Sequence, residues 1–214
     1  MKEYFDKAFT KVAVLGSGTM GGQIAAHFAN LGFDTTMFDT SEEALSKSIA
    51  MMKKLKPTPF ASPTVSGLIK TSTYDDLTVI SECDFIIESI VENLDIKKKL
   101  FKQISPYVND NAILVTNTSG LSIQKIAESA PDDLRSRIFG VHFFNPPRYL
   151  PLVELIRTSY SDESLLIKAE GFITSALGKE VVYAKDSPAF VANRIGVFSF
   201  MAVLKHAENF NLSA

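Results

Sequence analysis

At 214 residues and 46% hydrophobic content, with no repeat or low-complexity tract, the chain is long enough for one large globular domain with a sizeable buried core. Lys plus Arg (22) and Asp plus Glu (24) nearly cancel, giving a formal charge of -2, and no basic stripe is available to release phosphate counterions, so nucleic acid is excluded as an expected partner. The single cysteine, Cys83, cannot form an internal disulfide, no Cys and His set has zinc spacing, and no apolar run approaches the ~20 residues that span a bilayer. The N-terminal MKEYFDKAFTKV lacks the apolar segment of a signal peptide. A soluble cytoplasmic protein without metal or membrane contact is expected.

In chain order, Val12 to Leu15 reads as a buried strand, followed by an amphipathic helix from Met20 to Leu31 closed by Gly32. Thr35 to Phe38 is a second strand ending at Asp39, and Thr40 with Glu43 forms a capping box that starts the next helix, which stops near Pro57. The three prolines of Lys56 to Gly67 predict an inserted loop before a strand at Leu68 to Thr71. Strands follow at Phe85 to Ile90, Ala112 to Thr116 and Ile138 to His142, separated by helices near Asp95 to Val108 and Ser122 to Ala130. After Asn145-Pro146-Pro147 the connection to Leu152 to Arg157 is too short for a right-handed crossover, which predicts an antiparallel strand. A helix from Asp162 to Leu177 and a strand from Val181 to Ala184 complete the layer.

The fold class is thus α/β: a Rossmann-type, doubly wound, mostly parallel sheet with a short antiparallel extension. Pro188 to Asn209 is apolar around most of its circumference and needs partners on several sides. It reads as the first helix of a truncated all-α domain, dividing the chain into a dinucleotide-binding domain, 1–186, and a helical start, 187–214.

Gly16-Ser17-Gly18-Thr19-Met20-Gly21 is a GxGxxG between a strand and a helix. Gly16 makes the tight turn, Gly18 lets a pyrophosphate approach backbone, and Gly21 lets helix meet strand, while the helix N-terminus offers N–H donors. Asp39, eighteen residues after Gly21, can accept from both ribose hydroxyls and repels a 2′-phosphate. NAD is therefore expected over NADP. Of three histidines, His27 and His206 fall within helices and need no chemical role. His142 ends a strand on the carboxyl side of the sheet, where open α/β folds bind ligands, and Glu154 lies beyond the double-proline turn where its carboxylate can fold back.

These residues, with VAVLGSGTMGGQIA, DFIIESIVENLDIKKKLF, TNTSG, GVHFFNPPRYLPLVELI and KDSPAFVANRI, make the chain resemble the 3-hydroxyacyl-CoA dehydrogenases of fatty acid β-oxidation over nearly its whole length. The resemblance implies NAD-dependent oxidation of (S)-3-hydroxyacyl-CoA, with His142 as general base and Glu154 orienting it. It implies Ser119, Asn145 and Asn193 as polar contacts at the substrate's reacting end, and Glu92, Lys97 and Asn117 as residues by the cofactor, alongside Thr19 and Met20 of the glycine-rich turn. Its implied partners are an acyl-CoA substrate and either a second copy or a fused enoyl-CoA hydratase-like module. The short, proline-bearing excursion departs from the longer helical hairpin of single-function members, so no coenzyme A contacts carry over, and Lys53, Lys54 and Lys56 read as a solvated face. Two alternatives stay open: dehydrogenation of a small β-hydroxyacid, and a non-catalytic NAD-binding role like that of some lens crystallins.

Overall fold

The computed structural model describes residues 9–210 and 212; most of the N-terminal stretch read above for a signal peptide lies outside them. Eight strands form one sheet: β1 (Lys11–Leu15), β2 (Asp34–Asp39), β3 (Lys70–Thr73), β4 (Phe85–Glu88), β5 (Ile113–Thr116), β6 (Ile138–Phe143), β7 (Leu152–Ile156) and β8 (Glu180–Ala184). Their spatial order is β3-β2-β1-β4-β5-β6-β7-β8. Pairing is parallel from β3 through β6, antiparallel between β6 and β7, and parallel again between β7 and β8. The order reverses direction at β1, so the crevice beyond the carboxyl ends of β1 and β4 is the topological switch point where such sheets take ligands.

Among the described residues six α-helices lie between strands, α1 (Thr19–Asn30), α2 (Glu42–Met52), α3 (Leu94–Ile104), α4 (Ile123–Ala127), α5 (Asp132–Arg135) and α6 (Glu163–Ser175), and α7 (Ala192–Asn209) follows β8. The central strands are apolar on both faces because helices cover both. On one face Phe9, Phe28, Phe33, Phe85 and Phe172 pack with ring centroids 4.9 to 6.3 Å apart. On the other, Ala13, Leu15, Ile86 and Leu114 meet Leu100, Phe101, Ile104 and Ile126. Fully burying each of the larger of these side chains, Leu, Ile or Phe, contributes about 1.5–3 kcal/mol, which holds the helices against both faces of the sheet.

The sequence expectations for β1, β2, β5 and the antiparallel β7 agree with these strands to within a residue or two. Differences have local causes. Ser41, not Thr40, caps α2, its Oγ accepting from Ala44 N at 3.2 Å, because the Thr40 amide and hydroxyl are taken by Asp39. β4 stops at Glu88 instead of Ile90, since the Glu88 carboxylate accepts from Ile90 N and turns the chain. The loop at Lys56 to Gly67 holds a short 3₁₀ turn, Pro63–Gly67, and delays β3 to Lys70. Pro106 and Pro131 end helices that the periodicity extends to Val108 and Ala130. α7 starts at Ala192, four residues late, after Ala189 and Phe190 adopt positive φ (61° and 46°). Lys53, Lys54 and Lys56 are exposed, as expected, though in the turn after α2. Among the described residues no helix is long and apolar enough to cross a membrane, and no group of three or more His, Cys, Asp or Glu could hold a metal ion.

His27 is a structural histidine: buried in α1, its Nε2 lies 3.2 Å from the Leu177 carbonyl oxygen, to which the Nε2–H tautomer donates. Burial, aided by the Lys179 charge, lowers its pKa from 6.5 to about 4. The unfolded chain therefore takes up a proton first on acidification, and this contribution to stability, full above about pH 6.5, is lost as pH falls toward 4. Between pH ~7.5 and ~5 the urea-unfolding free energy should fall by about 2 kcal/mol more for the wild type than for His27→Gln, which keeps a donor but cannot titrate. Equal losses would show that His27 is not buried neutral.

Candidate active site

The carboxyl ends of β1, β4, β5 and β6 open into one cleft of about 930 Å³. Every site residue named from the sequence lines it except Gly21 and Glu154, which pack behind its wall.

The nucleotide half is shaped by the glycine-rich turn. Gly16, at φ +104°, reverses the chain, and its N–H donates to the Phe38 carbonyl at 2.8 Å. A Cβ on Gly21 would stand 2.0 Å from the Gly16 carbonyl oxygen, so α1 packs directly on the turn. A Cβ on Gly18 would meet nothing within 4 Å. Gly18 is also the N-cap of α1 and offers no side-chain cap, so the first N–H donors of α1 stay available beside an open surface. Asp39 ends β2: Oδ2 accepts from Ser17 N (2.7 Å) and Ser17 Oγ (2.5 Å), and Oδ1 from Thr40 N (2.7 Å). Burial pushes its pKa up, but these hydrogen bonds outweigh it and hold the carboxyl below its ordinary value. A fixed anion beside uncapped amides suits a dinucleotide with free ribose hydroxyls and opposes a 2′-phosphate.

Lys97, placed by resemblance beside the cofactor, forms the floor of the cleft. Its Nζ is 2.5 Å from Glu88 Oε1 and 3.4 Å from Glu92 Oε2, with the Lys97 and Glu88 side chains both 1% exposed. Glu88 Oε2 accepts from Thr116 Oγ1. Glu92 Oε1 accepts from Thr118 Oγ1, Ser119 N and Ser119 Oγ at 2.6, 2.8 and 3.0 Å. Burial raises the Glu92 pKa, yet these donors and the Lys97 charge bring it below its usual value. Asn117 accepts from Phe143 N at 2.8 Å, tying β5 to the end of β6.

His142 and Glu154 are direct cross-strand partners in the β6–β7 ladder. His142 Nδ1 lies 2.7 Å from Glu154 Oε2; Glu154 is fully buried and His142 6% exposed. With Nδ1–H donating to the carboxylate, the Nε2 lone pair is left for the cleft. The other carboxylate oxygen accepts from Val191 N (2.9 Å) and Ala192 N (2.8 Å) at the start of α7. Phe144 and Phe190 flank the imidazole with centroids 4.5 and 5.9 Å away. Asn193 Nδ2 donates to the Ser119 carbonyl at 3.1 Å, bringing α7 to the loop after β5.

The structure also shows residues the sequence analysis missed. Ser17 holds Asp39, Thr118 holds Glu92, and Glu88 anchors Lys97. Glu88 carries a signal, an acid closing the apolar strand Phe85–Glu88, nine residues before Lys97; Ser17 and Thr118 carry none that sets them apart from turn residues.

Sheet order, glycine-rich turn and fixed Asp39 beside uncapped amides define a dinucleotide-binding domain. Residues 11–187 match the family model described as "3-hydroxyacyl-CoA dehydrogenase, NAD binding domain", and the chain belongs to that family. It is 39% identical, over 93% of its length, to a Bacillus subtilis protein named as a 3-hydroxyacyl-CoA dehydrogenase, of which it spans 28%. It is also 39% identical, over 92% of its length, to a Rickettsia felis protein named as a fatty acid oxidation complex trifunctional enzyme, again spanning 28% of it. The crystal structure of Mycobacterium tuberculosis FadB2 superposes with a TM-score of 0.85 at 29% identity, covering 96% of this chain and 74% of that one.

The two inner glycines should respond differently. Gly18→Ala should melt with the wild type but bind NAD at least tenfold more weakly, because its new methyl occupies open cleft space. Gly21→Ala should lose ~1–3 kcal/mol of stability on denaturant unfolding, from overpacking against the Gly16 carbonyl. Unchanged NAD affinity in Gly18→Ala would remove this turn from the binding site.

Proposed function

We propose that the chain is the cofactor-holding part of an NAD-dependent 3-hydroxyacyl-CoA dehydrogenase and that His142 is its general base. The carrying observation is the His142–Glu154 contact at 2.7 Å on the cleft wall, beside an apparatus suited to NAD. NAD, when bound, supplies the acceptor for hydride leaving C3 of the substrate. The α1 amides would hold its pyrophosphate and Asp39 its adenosine ribose, in the cleft that Lys97 and Glu92 also line.

His142 Nε2 takes the hydroxyl proton as the C–H bond breaks, and Glu154 stabilises the imidazolium that results. The second Glu154 oxygen accepts from two backbone N–H groups, which fixes the carboxylate opposite the imidazole. In the reverse direction the imidazolium returns the proton to the carbonyl oxygen. Ser119, Asn145 and Asn193 hold the oxygen substituent so that C3 keeps its reactive geometry. Ser119 Oγ, now donating to Glu92, must turn from it to reach substrate.

The same reading makes acyl-CoA the substrate, 1–186 the cofactor domain and 187–214 the start of a helical segment. The outward side chains of α7, among them Phe198, Phe200 and Val203 at 76, 62 and 65% exposure, would then be covered by a second copy or by a further module. Light scattering should accordingly show mass rising with concentration, and Phe198→Glu should suppress the rise. A wild-type chain that stays monomeric throughout would contradict this coverage by a second copy.

The function is tested with NADH and acetoacetyl-CoA, followed by loss of NADH absorbance. His142→Ala should lose about 10²–10⁴-fold in kcat with NADH affinity unchanged, and Glu154→Gln should fall between it and the wild type. Turnover that survives His142→Ala would overturn the assignment.

A further inference from the structure

Gln23 lies in the second turn of α1, 4% exposed, and is not among the residues lining the cleft. Its Nε2 donates to the Thr19 carbonyl at 3.0 Å and to Asn145 Oδ1 at 3.1 Å. The bond to Asn145 joins the cofactor helix to the turn between β6 and β7 and spans 122 residues of sequence.

The polarity of this pair is set from one end. A backbone carbonyl can only accept, so the Gln23 atom facing Thr19 must be the NH₂ and not the amide oxygen. The same NH₂ faces Asn145, which must therefore turn its oxygen toward Gln23. That leaves the NH₂ as the end of the Asn145 amide not engaged by Gln23, on an exposed residue that lines the cleft. An asparagine alone presents donor or acceptor with near-equal ease, since the two ends of the amide have the same shape.

We propose that Gln23 is a positioning residue which, through Asn145, makes this point of the cleft a hydrogen-bond donor and so selects an acceptor oxygen at the reacting end of the bound molecules. The proposal rests on the function assigned above. It adds that the group meeting Asn145 is an acceptor, such as a carbonyl or hydroxyl oxygen, since an N–H group presented there would meet another donor. It also makes the glycine-rich turn serve both halves of the site, through its amides and through the Thr19 carbonyl that orients Gln23.

The test uses Gln23→Met, close in length without an amide, Gln23→Glu, which keeps the shape but repels the Thr19 carbonyl, Asn145→Ala, and the double variant Gln23→Met/Asn145→Ala. Two readouts separate this proposal from the function it rests on. The first is side-chain ¹⁵N relaxation of the full chain, which needs no turnover: the Asn145 amide should be nearly as ordered as the backbone in the wild type and markedly more mobile in Gln23→Met. The second is the rate with acetoacetyl-CoA and NADH. Gln23→Met should lose roughly three- to tenfold in kcat, the loss equivalent to one neutral hydrogen bond, with NADH affinity within about twofold of the wild type. Gln23→Glu should lose more, because its carboxylate accepts from the Asn145 NH₂ and turns the oxygen to the cleft. The double variant should be no slower than Asn145→Ala, since Gln23 acts only through Asn145.

An Asn145 amide equally mobile with and without Gln23, or losses that multiply in the double variant, would overturn the proposal. A wild type without turnover but with an Asn145 amide ordered by Gln23 would defeat the dehydrogenase assignment and leave the positioning role standing.

Discussion

The Glu154 carboxylate is where three parts of the molecule meet. One oxygen takes the imidazole of His142 from the neighbouring strand; the other takes two backbone amides at the start of α7. A fully buried carboxylate has to be matched by donors, and these supply them. The antiparallel β6–β7 pair brings acid and imidazole into direct register, and the positive-φ turn at Ala189 and Phe190 brings the helix. A non-glycine residue held at positive φ costs on the order of 1 kcal/mol, which the surrounding contacts must offset. Removing the carboxylate would thus loosen the histidine, strand and helix together.

A second chain of contacts joins the cofactor half of the cleft to the substrate half. Glu88 holds Lys97, Lys97 faces Glu92, and Glu92 grips Thr118 and Ser119. Buried ion pairs are poor sources of net stability, because desolvation offsets most of the attraction. Their value here is geometric. Lys97 is the shared counter-charge of Glu88 and Glu92, and Glu92 in turn accepts from Ser119 N and Oγ, so the loop carrying Ser119 is tied to the floor of the cleft. The Gln23–Asn145 bond makes a similar link on the other side, from α1 to the turn beyond β6.

Much of this was legible in the sequence because it rests on short-range rules. The strand and helix alternation, Gly16-x-Gly18-x-x-Gly21 at a strand-to-helix turn, and Asp39 at the end of β2 follow from periodicity and local sterics. The brevity of the Asn145–Pro151 connection was enough to predict the antiparallel β7, and with it the approach of Glu154 to His142. Ser119, Asn193, Glu92 and Lys97 came instead from family resemblance, since an Asn-Thr-Ser-Gly run or a helical lysine has ordinary structural uses. What was missed depends on contacts distant in sequence. Glu88 with Lys97 needs the helix after β4 to fold back beneath the strand end, and Gln23 with Asn145 needs the sheet assembled. Helix ends were misjudged where a side chain was drawn elsewhere, as Thr40 is by Asp39.

Membership of the NAD-binding-domain family and the geometry of the cleft converge on one physical claim: a fixed, ionised Asp39 beside uncapped helix amides selects NAD. Calorimetric titration of the purified chain with NAD and then NADP measures it most directly. NAD should bind at one site with at least tenfold preference over NADP, and Asp39→Asn should erase most of that preference. Equal affinity for both cofactors, or no binding of NAD, would contradict the account.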